Sequence, residues 1–65
     1  MLMNNIFQVG AWIGGNYRGS GNWYIGKIFN VLPDNKYDVV YDIYDGEKQG
    51  NMLASFIRPM DTVIG

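Results

Sequence analysis

The sequence contains no cysteine and no histidine. Disulfide bonds are therefore excluded, and the usual ligands of a structural zinc ion are missing. Nucleophilic catalysis by a thiol, or by a serine that a histidine activates, is excluded for the same reason. We therefore predict a protein that is not an enzyme and that uses neither a metal nor a cofactor.

Long apolar runs are also missing, because no more than three apolar residues follow one another anywhere in the chain. A membrane-spanning helix needs about 20. The first ten residues also lack the basic start and apolar segment of a secretory signal. The sequence therefore predicts a soluble, intracellular protein that has no membrane partner.

Aromatic residues are abundant for so small a protein. The chain has 65 residues, a formal net charge of -1 and ten aromatic residues, which are two Trp, five Tyr and three Phe. A domain of this length buries only about 60% of the surface that its unfolded chain exposes. One thin core cannot enclose ten rings, so we expect some of them to lie on the surface.

Strands and tight turns are the predicted structure, since β-branched and aromatic residues form short runs between Gly, Asn and Asp. We predict strands at residues 9–17, 23–32, 37–42 and 47–52, and one helical turn at residues 54–57. The adjacent Gly14 and Gly15 predict a bulge or sharp bend in the first strand. Because flat sheets leave unpaired edges, the strands should curl into a small all-β barrel.

Alternation along the third predicted strand separates core from surface. Side chains of a strand point alternately to its two faces, so Tyr37, Val39 and Tyr41 share one face, which we predict to be the core. The opposite face carries Asp38, Val40 and Asp42.

Five segments carry a combined pattern in a fixed order: residues 9–10, 16–28, 37–42, 45–47 and 54–59. Together they resemble a Tudor domain of the Tudor/Agenet-like group of methyl-reading domains. The resemblance covers residues 7–60 and leaves residues 1–6 and 61–65 as flexible ends. It implies a strongly bent, five-stranded antiparallel barrel of the SH3-like kind.

The resemblance also implies a cage of aromatic rings around a methylated lysine or arginine of a protein partner, such as a histone or an Arg-Gly-type peptide. The implied role is that of a chromatin reader in the nucleus. Gly46 stands where arginine-reading members often have asparagine, so lysine and arginine both remain open. Carried over to this sequence, the cage consists of Tyr17, Tyr24, Tyr41 and Tyr44, with Asp42 or Asp45 as its carboxylate.

An alternative is that the four tyrosines only pack on one another. The function would then lie on the outer face of the sheet. Related domains tend to have polar residues there, whereas this chain has apolar ones, and an apolar patch on a surface marks a contact site. Such a surface would bind a partner protein or a second copy of the chain. We predict that it consists of Trp12, Ile25, Phe29, Val40 and Phe56.

Charge also distinguishes the classes of partner. Four of the six acidic residues fall between Asp38 and Glu47, where they would attract a basic peptide. The five basic residues are scattered along the sequence, and the net charge is negative. Binding of nucleic acid requires the opposite balance, so we predict no nucleic-acid partner.

Overall fold

Five β-strands form between turns rich in glycine, asparagine and aspartate, and the computed structural model describes residues 7–42 and 45–60. The strands are β1 (Trp12–Asn16), β2 (Trp23–Leu32), β3 (Lys36–Tyr41), β4 (Lys48–Leu53) and β5 (Ile57–Pro59). Short 3₁₀ turns occupy Tyr17–Gly19, Pro33–Asn35 and Ala54–Phe56. The predicted all-β class and the helical turn after β4 are confirmed. The predicted flexible ends lie outside the described residues.

The strands form one antiparallel sheet in the order β4-β3-β2-β1-β5. The long strand β2 connects its two halves, because residues 23–27 pair with β1 and residues 26–32 pair with β3. The register shifts between Ile28 and Asn30 and again between Tyr37 and Val39, and such irregularities bend and twist a sheet. The sheet is consistent with a small SH3-like barrel, although no pairing of β4 with β5 closes it within the described residues.

The core lies on the inner face of this bent sheet. Tyr37 and Val39 are fully buried and Tyr41 exposes only 1% of its surface, so the predicted core face of β3 is confirmed. Phe7 packs edge-on against Tyr37 with 5.5 Å between ring centroids. The remaining buried hydrophobic residues are Ile13, Ile28, Met52 and Ile57.

Two glycines of the inner face make room for Tyr41. A Cβ atom at Gly15 would lie 2.7 Å from the Tyr41 hydroxyl, and one at Gly26 would lie 2.9 Å from a methyl group of Val39. Of the bulge or sharp bend predicted at Gly14 and Gly15, the bulge was wrong, since β1 pairs with β2 in unbroken register from Trp12 to Asn16. The sequence needs glycine at position 15 because an aromatic ring occupies the space of a side chain.

The first strand is shorter than predicted. It begins at Trp12, after a turn in which Ala11 donates a backbone hydrogen bond to Gln8, and it ends at Asn16. The chain then enters a tight turn in which Arg18 has a φ of 51°. This turn places Tyr17 at one end of the sheet.

Candidate functional site

Hydrogen bonds within the turn after β1 fix the position of Tyr17. The Asn16 side chain accepts a hydrogen bond from the backbone N–H of Gly21 at 2.7 Å. The backbone N–H of Tyr17 donates to the carbonyl of Asn22 at 2.8 Å. The Tyr17 ring is thereby held against the inner end of the sheet, where it packs on the core.

Three of the predicted cage residues meet at this end of the sheet, and we call Tyr17, Tyr24 and Tyr41 the tyrosine cluster. The Tyr17 ring centroid lies 5.3 Å from that of Tyr24 and 5.3 Å from that of Tyr41, both in edge-to-face geometry. Tyr17 and Tyr24 are half-buried. Strand pairing places Tyr24 opposite Gly15 and Tyr41 opposite Gly26. Tyr44, the fourth predicted member, lies outside the described residues.

Tyr41 forms the floor of the cluster. Its ring exposes only 1% of its surface, and its hydroxyl donates to the Gln49 side-chain oxygen at 2.9 Å. Burial, followed by the nearby Tyr17 and Glu47, raises the pKa of Tyr41 to about 12. Tyr41 therefore supports Tyr17 from beneath as an uncharged group and has no exposed ring face for a ligand.

Glu47 supplies the carboxylate of the site. The Tyr17 hydroxyl donates a hydrogen bond to this carboxylate and lies 2.7 and 2.8 Å from its two oxygens. The hydrogen bond from Tyr17, and then that from Arg18, hold the pKa of Glu47 below its ordinary value of 4.5. The same contact with Glu47 is the main reason why the pKa of Tyr17 is raised. Glu47 is therefore a carboxylate at neutral pH.

The two aspartates that the resemblance suggested are exposed. Asp42 lies in the bend after β3, where its backbone N–H donates to the carbonyl of Ile25 at 2.9 Å. Asp45 lies in the exposed turn after β3 with a φ of 56°. Sequence reasoning assigned Glu47 only to the general acidic segment. Its position could have been found from the hairpin, because β4 returns antiparallel to β3 and the Glu47 carbonyl accepts the backbone N–H of Tyr41 at 2.8 Å.

The positively charged side chain of Arg18 lies beside Glu47 and Tyr17. Its Nη2 and Nε atoms lie 2.5 and 3.2 Å from Oε2 of Glu47. Its guanidinium carbon lies 5.3 Å from the centroid of the Tyr17 ring, within the range of a cation–π contact. The Arg18 side chain remains 67% exposed. The Arg18 guanidinium, a flat cation, is therefore in contact with both a ring and a carboxylate at this site.

The predicted interface residues divide into two groups. Trp12, Ile25 and Val40 lie on the outer face of the sheet, as alternation along their strands requires. Phe29 lies at the register shift of β2 and is placed on the same face by its contact with Lys48. The prediction that Phe56 faces outward with them was wrong. It belongs to the 3₁₀ turn before β5, where strand alternation does not apply, and it packs partly buried against the core.

Within residues 7–42 and 45–60, no helix is long and apolar enough to cross a membrane. The same residues contain no group of three or more acidic, cysteine or histidine side chains placed to hold a metal ion. Comparison of the chain with protein-family models, with curated proteins and with solved structures gives no match.

Proposed function

We propose that this chain is a non-catalytic binding module that recognises a methylated lysine or arginine side chain of a protein partner. The observation that carries the proposal is the tyrosine cluster. Two half-buried rings meet edge to face above a buried third ring, and the hydroxyl of one of them is bonded to a carboxylate. An apolar surface with a negative charge beside it is thus present at one end of the sheet.

Methylation adapts a cation to such a surface. Each methyl group removes a hydrogen-bond donor and adds apolar area, so the cation leaves water more easily and is attracted to the negative ring faces. Each contact of this kind is worth about 0.5–2 kcal/mol. Tyr17 and Tyr24 would contact the methyl groups, Tyr41 would hold Tyr17 in place, and Glu47 would balance the charge.

Arg18 supports this assignment and adds a condition. Its guanidinium already contacts the Tyr17 ring and the Glu47 carboxylate. A ligand cation must displace Arg18 or lie beside it. We therefore expect modest affinity, and we expect the selectivity to come from the methyl groups rather than from charge alone.

The test compares peptides that carry an unmodified lysine or arginine with the same peptides methylated at that residue. Binding to the chain is measured by isothermal titration calorimetry. We expect the methylated form to bind more tightly, and we expect Tyr24→Ala to weaken its binding by about tenfold because one ring contact is lost. Thermal unfolding of the variant establishes that it remains folded.

Trp12→Ala provides the control because it removes a large exposed ring from the outer face. It should leave the affinity for the methylated peptide unchanged. Equal binding of methylated and unmethylated peptides, or full affinity in a folded Tyr24→Ala variant, would contradict the proposal. Tyr41 is unsuitable for this test because replacing a buried ring by alanine typically costs about 3–5 kcal/mol of stability.

A further inference from the structure

The outer face of the sheet carries three aromatic side chains, each beside a cation. Lys27 Nζ lies 4.9 Å from the ring centroid of Trp12. Lys48 Nζ lies 5.5 Å from that of Phe29, and the guanidinium carbon of Arg58 lies 3.6 Å from that of Trp23. We call these six residues the cation-aromatic face.

Strand pairing assembles this face from distant parts of the chain. Trp12 on β1 is opposite Lys27 on β2, which is opposite Val40 on β3, which is opposite Lys48 on β4. Residues that pair across strands point to the same side of a sheet. Basic residues that are scattered in the sequence are therefore neighbours in the fold.

The positive charge of this face is not neutralised by ion pairs. Among the described residues, the one salt bridge joins Arg18 to Glu47, so Lys27, Lys48 and Arg58 contact rings rather than carboxylates. A ring attracts a cation without removing its charge.

One carboxylate shares the outer face by alternation along β3, and a second follows directly after the strand. Asp38 accepts hydrogen bonds from the Asn30 side chain at 3.2 Å and from the backbone N–H of Asn51 at 3.0 Å. Asp42 is exposed just beyond the end of β3. Lys36 shares the outer face with Asp38 by the same alternation, so four cations outnumber the acids there, although the whole chain has a net charge of -1.

Apolar surface is exposed between these charges. Trp12 exposes 47% of its surface and Phe29 36%, and the half-buried Ile25 and Val40 lie beside them on β2 and β3. Tryptophan and arginine are enriched among the residues that dominate the energy of protein interfaces. The composition of the face therefore matches a protein contact surface with a positive charge.

We propose that the cation-aromatic face binds an acidic segment of a partner protein in which carboxylates alternate with apolar side chains. The carboxylates would pair with Lys27, Lys48 and Arg58, and the apolar side chains would lie against the rings. A peptide can place its charges between Asp38 and Asp42, whereas a nucleic acid carries a phosphate at every step and would meet both carboxylates. The face lies on the opposite side of the sheet from the tyrosine cluster, so this inference does not depend on the function proposed for that cluster.

The test uses a synthetic peptide in which glutamate alternates with leucine. The chain has two tryptophans, Trp12 and Trp23, and both belong to this face, so tryptophan emission reports binding directly. We expect a saturable change at low ionic strength that weakens as salt is added. Combined Lys27→Ala and Lys48→Ala substitutions should weaken binding by about tenfold, through the loss of two exposed charge pairs.

Lys36→Ala removes one positive charge from the far end of β3, on the same face but beyond Asp38. It should weaken binding less than the single substitution Lys48→Ala. Two further probes are a peptide with glutamine in place of glutamate and an oligothymidine strand. The proposal is overturned if the glutamine peptide binds equally well or if the acidic peptide has no effect on emission. Tighter binding of the oligothymidine would overturn it in favour of nucleic acid. A dimer in sedimentation that the double substitution dissociates would overturn it in favour of a second copy of the chain.

Discussion

At the scale of single residues, Arg18 determines how strongly the proposed cage binds its ligand. Its guanidinium contacts the same ring and the same carboxylate that a methylated side chain would need. An ion pair as exposed to solvent as this one contributes little, because water and salt screen it. Arg18 is therefore a weak competitor inside the site, and removing it should favour the ligand.

We expect Arg18→Gln to bind a methylated peptide about two- to fivefold more tightly than the parent chain. Glutamine keeps part of the side-chain stem and removes the charge, so Glu47 becomes available to the ligand. Calorimetric titration measures the change, and Lys36→Ala controls for the loss of a positive charge elsewhere. Unchanged or weaker binding by Arg18→Gln would mean that Arg18 does not compete for the site. Absence of binding by the parent chain would count against the cage itself.

Glu47 shows why sequence reasoning reached only part of the site. The resemblance identified the three tyrosines that meet, but it placed the carboxylate at Asp42 or Asp45. The partners of Glu47 are 29 and 30 residues away in the chain. Their contact requires the β3–β4 hairpin and the turn after β1 to lie side by side. The hairpin places Glu47 beside Tyr41, but the position of the turn after β1 relative to it cannot be predicted from a local sequence pattern.

At the scale of strands, glycine is the residue whose role the sequence left ambiguous. β2 was predicted with its observed bounds because apolar, β-branched and aromatic residues predominate between two turn segments. In β1, a glycine pair is equally compatible with a bulge and with a close approach of another group. Gly15 serves the second purpose, since the Tyr41 ring occupies the space where a Cβ would lie.

The close approach of the Tyr41 ring to Gly15 should make the stability of the fold sensitive to substitution at position 15. Gly15→Ala would place a Cβ atom 2.7 Å from the Tyr41 hydroxyl and 2.9 Å from a ring carbon. Either the Tyr41 ring or the backbone at position 15 must then move within a packed core. Such a change typically costs about 1–3 kcal/mol of stability. We expect the free energy of unfolding, measured in urea, to fall by that amount. Ser55→Ala, at an exposed position, is the control and should change it little.

A Gly15→Ala variant as stable as the parent chain would mean that Tyr41 moves without cost. The ring would then not be held rigidly beneath Tyr17. That outcome would also weaken the argument that Tyr41 keeps the cage in place.

At the scale of the whole molecule, the bent sheet separates two surfaces of different chemistry. The inner end carries the tyrosine cluster with Glu47, and the outer face carries three cations beside three rings. Composition predicted a surplus of rings but not their division between two surfaces. That division follows from strand register, which the shifts in β2 and β3 alter and which the sequence pattern alone does not specify.

The contacts of Glu47 make the stability of the molecule depend on pH. Its pKa is lowered in the folded chain, so its contribution is present above its ordinary pKa of 4.5 and is lost as the pH falls through the folded value. We expect the free energy of unfolding in urea to decrease as the pH falls below about 4.5, and less steeply in Glu47→Gln. Ser55→Ala, at an exposed position without a titratable group, is the control and should retain the parent slope. Identical slopes in the parent chain and in Glu47→Gln would show that the contacts with Tyr17 and Arg18 do not stabilise the fold.

The open sheet leaves two edge strands, and an edge strand can recruit further chains into an aggregate through its backbone hydrogen bonds. β4 begins with Lys48 and contains Asn51 in a left-handed conformation with a φ of 56°. β5 has only three residues and ends at Pro59, which has no backbone N–H to donate. The row of backbone donors along β4 is therefore interrupted by a charged residue and a local twist. The row along β5 is limited by the short length of the strand and by its proline. The molecule can therefore leave both proposed binding surfaces open to partners while its edges discourage growth into fibrils.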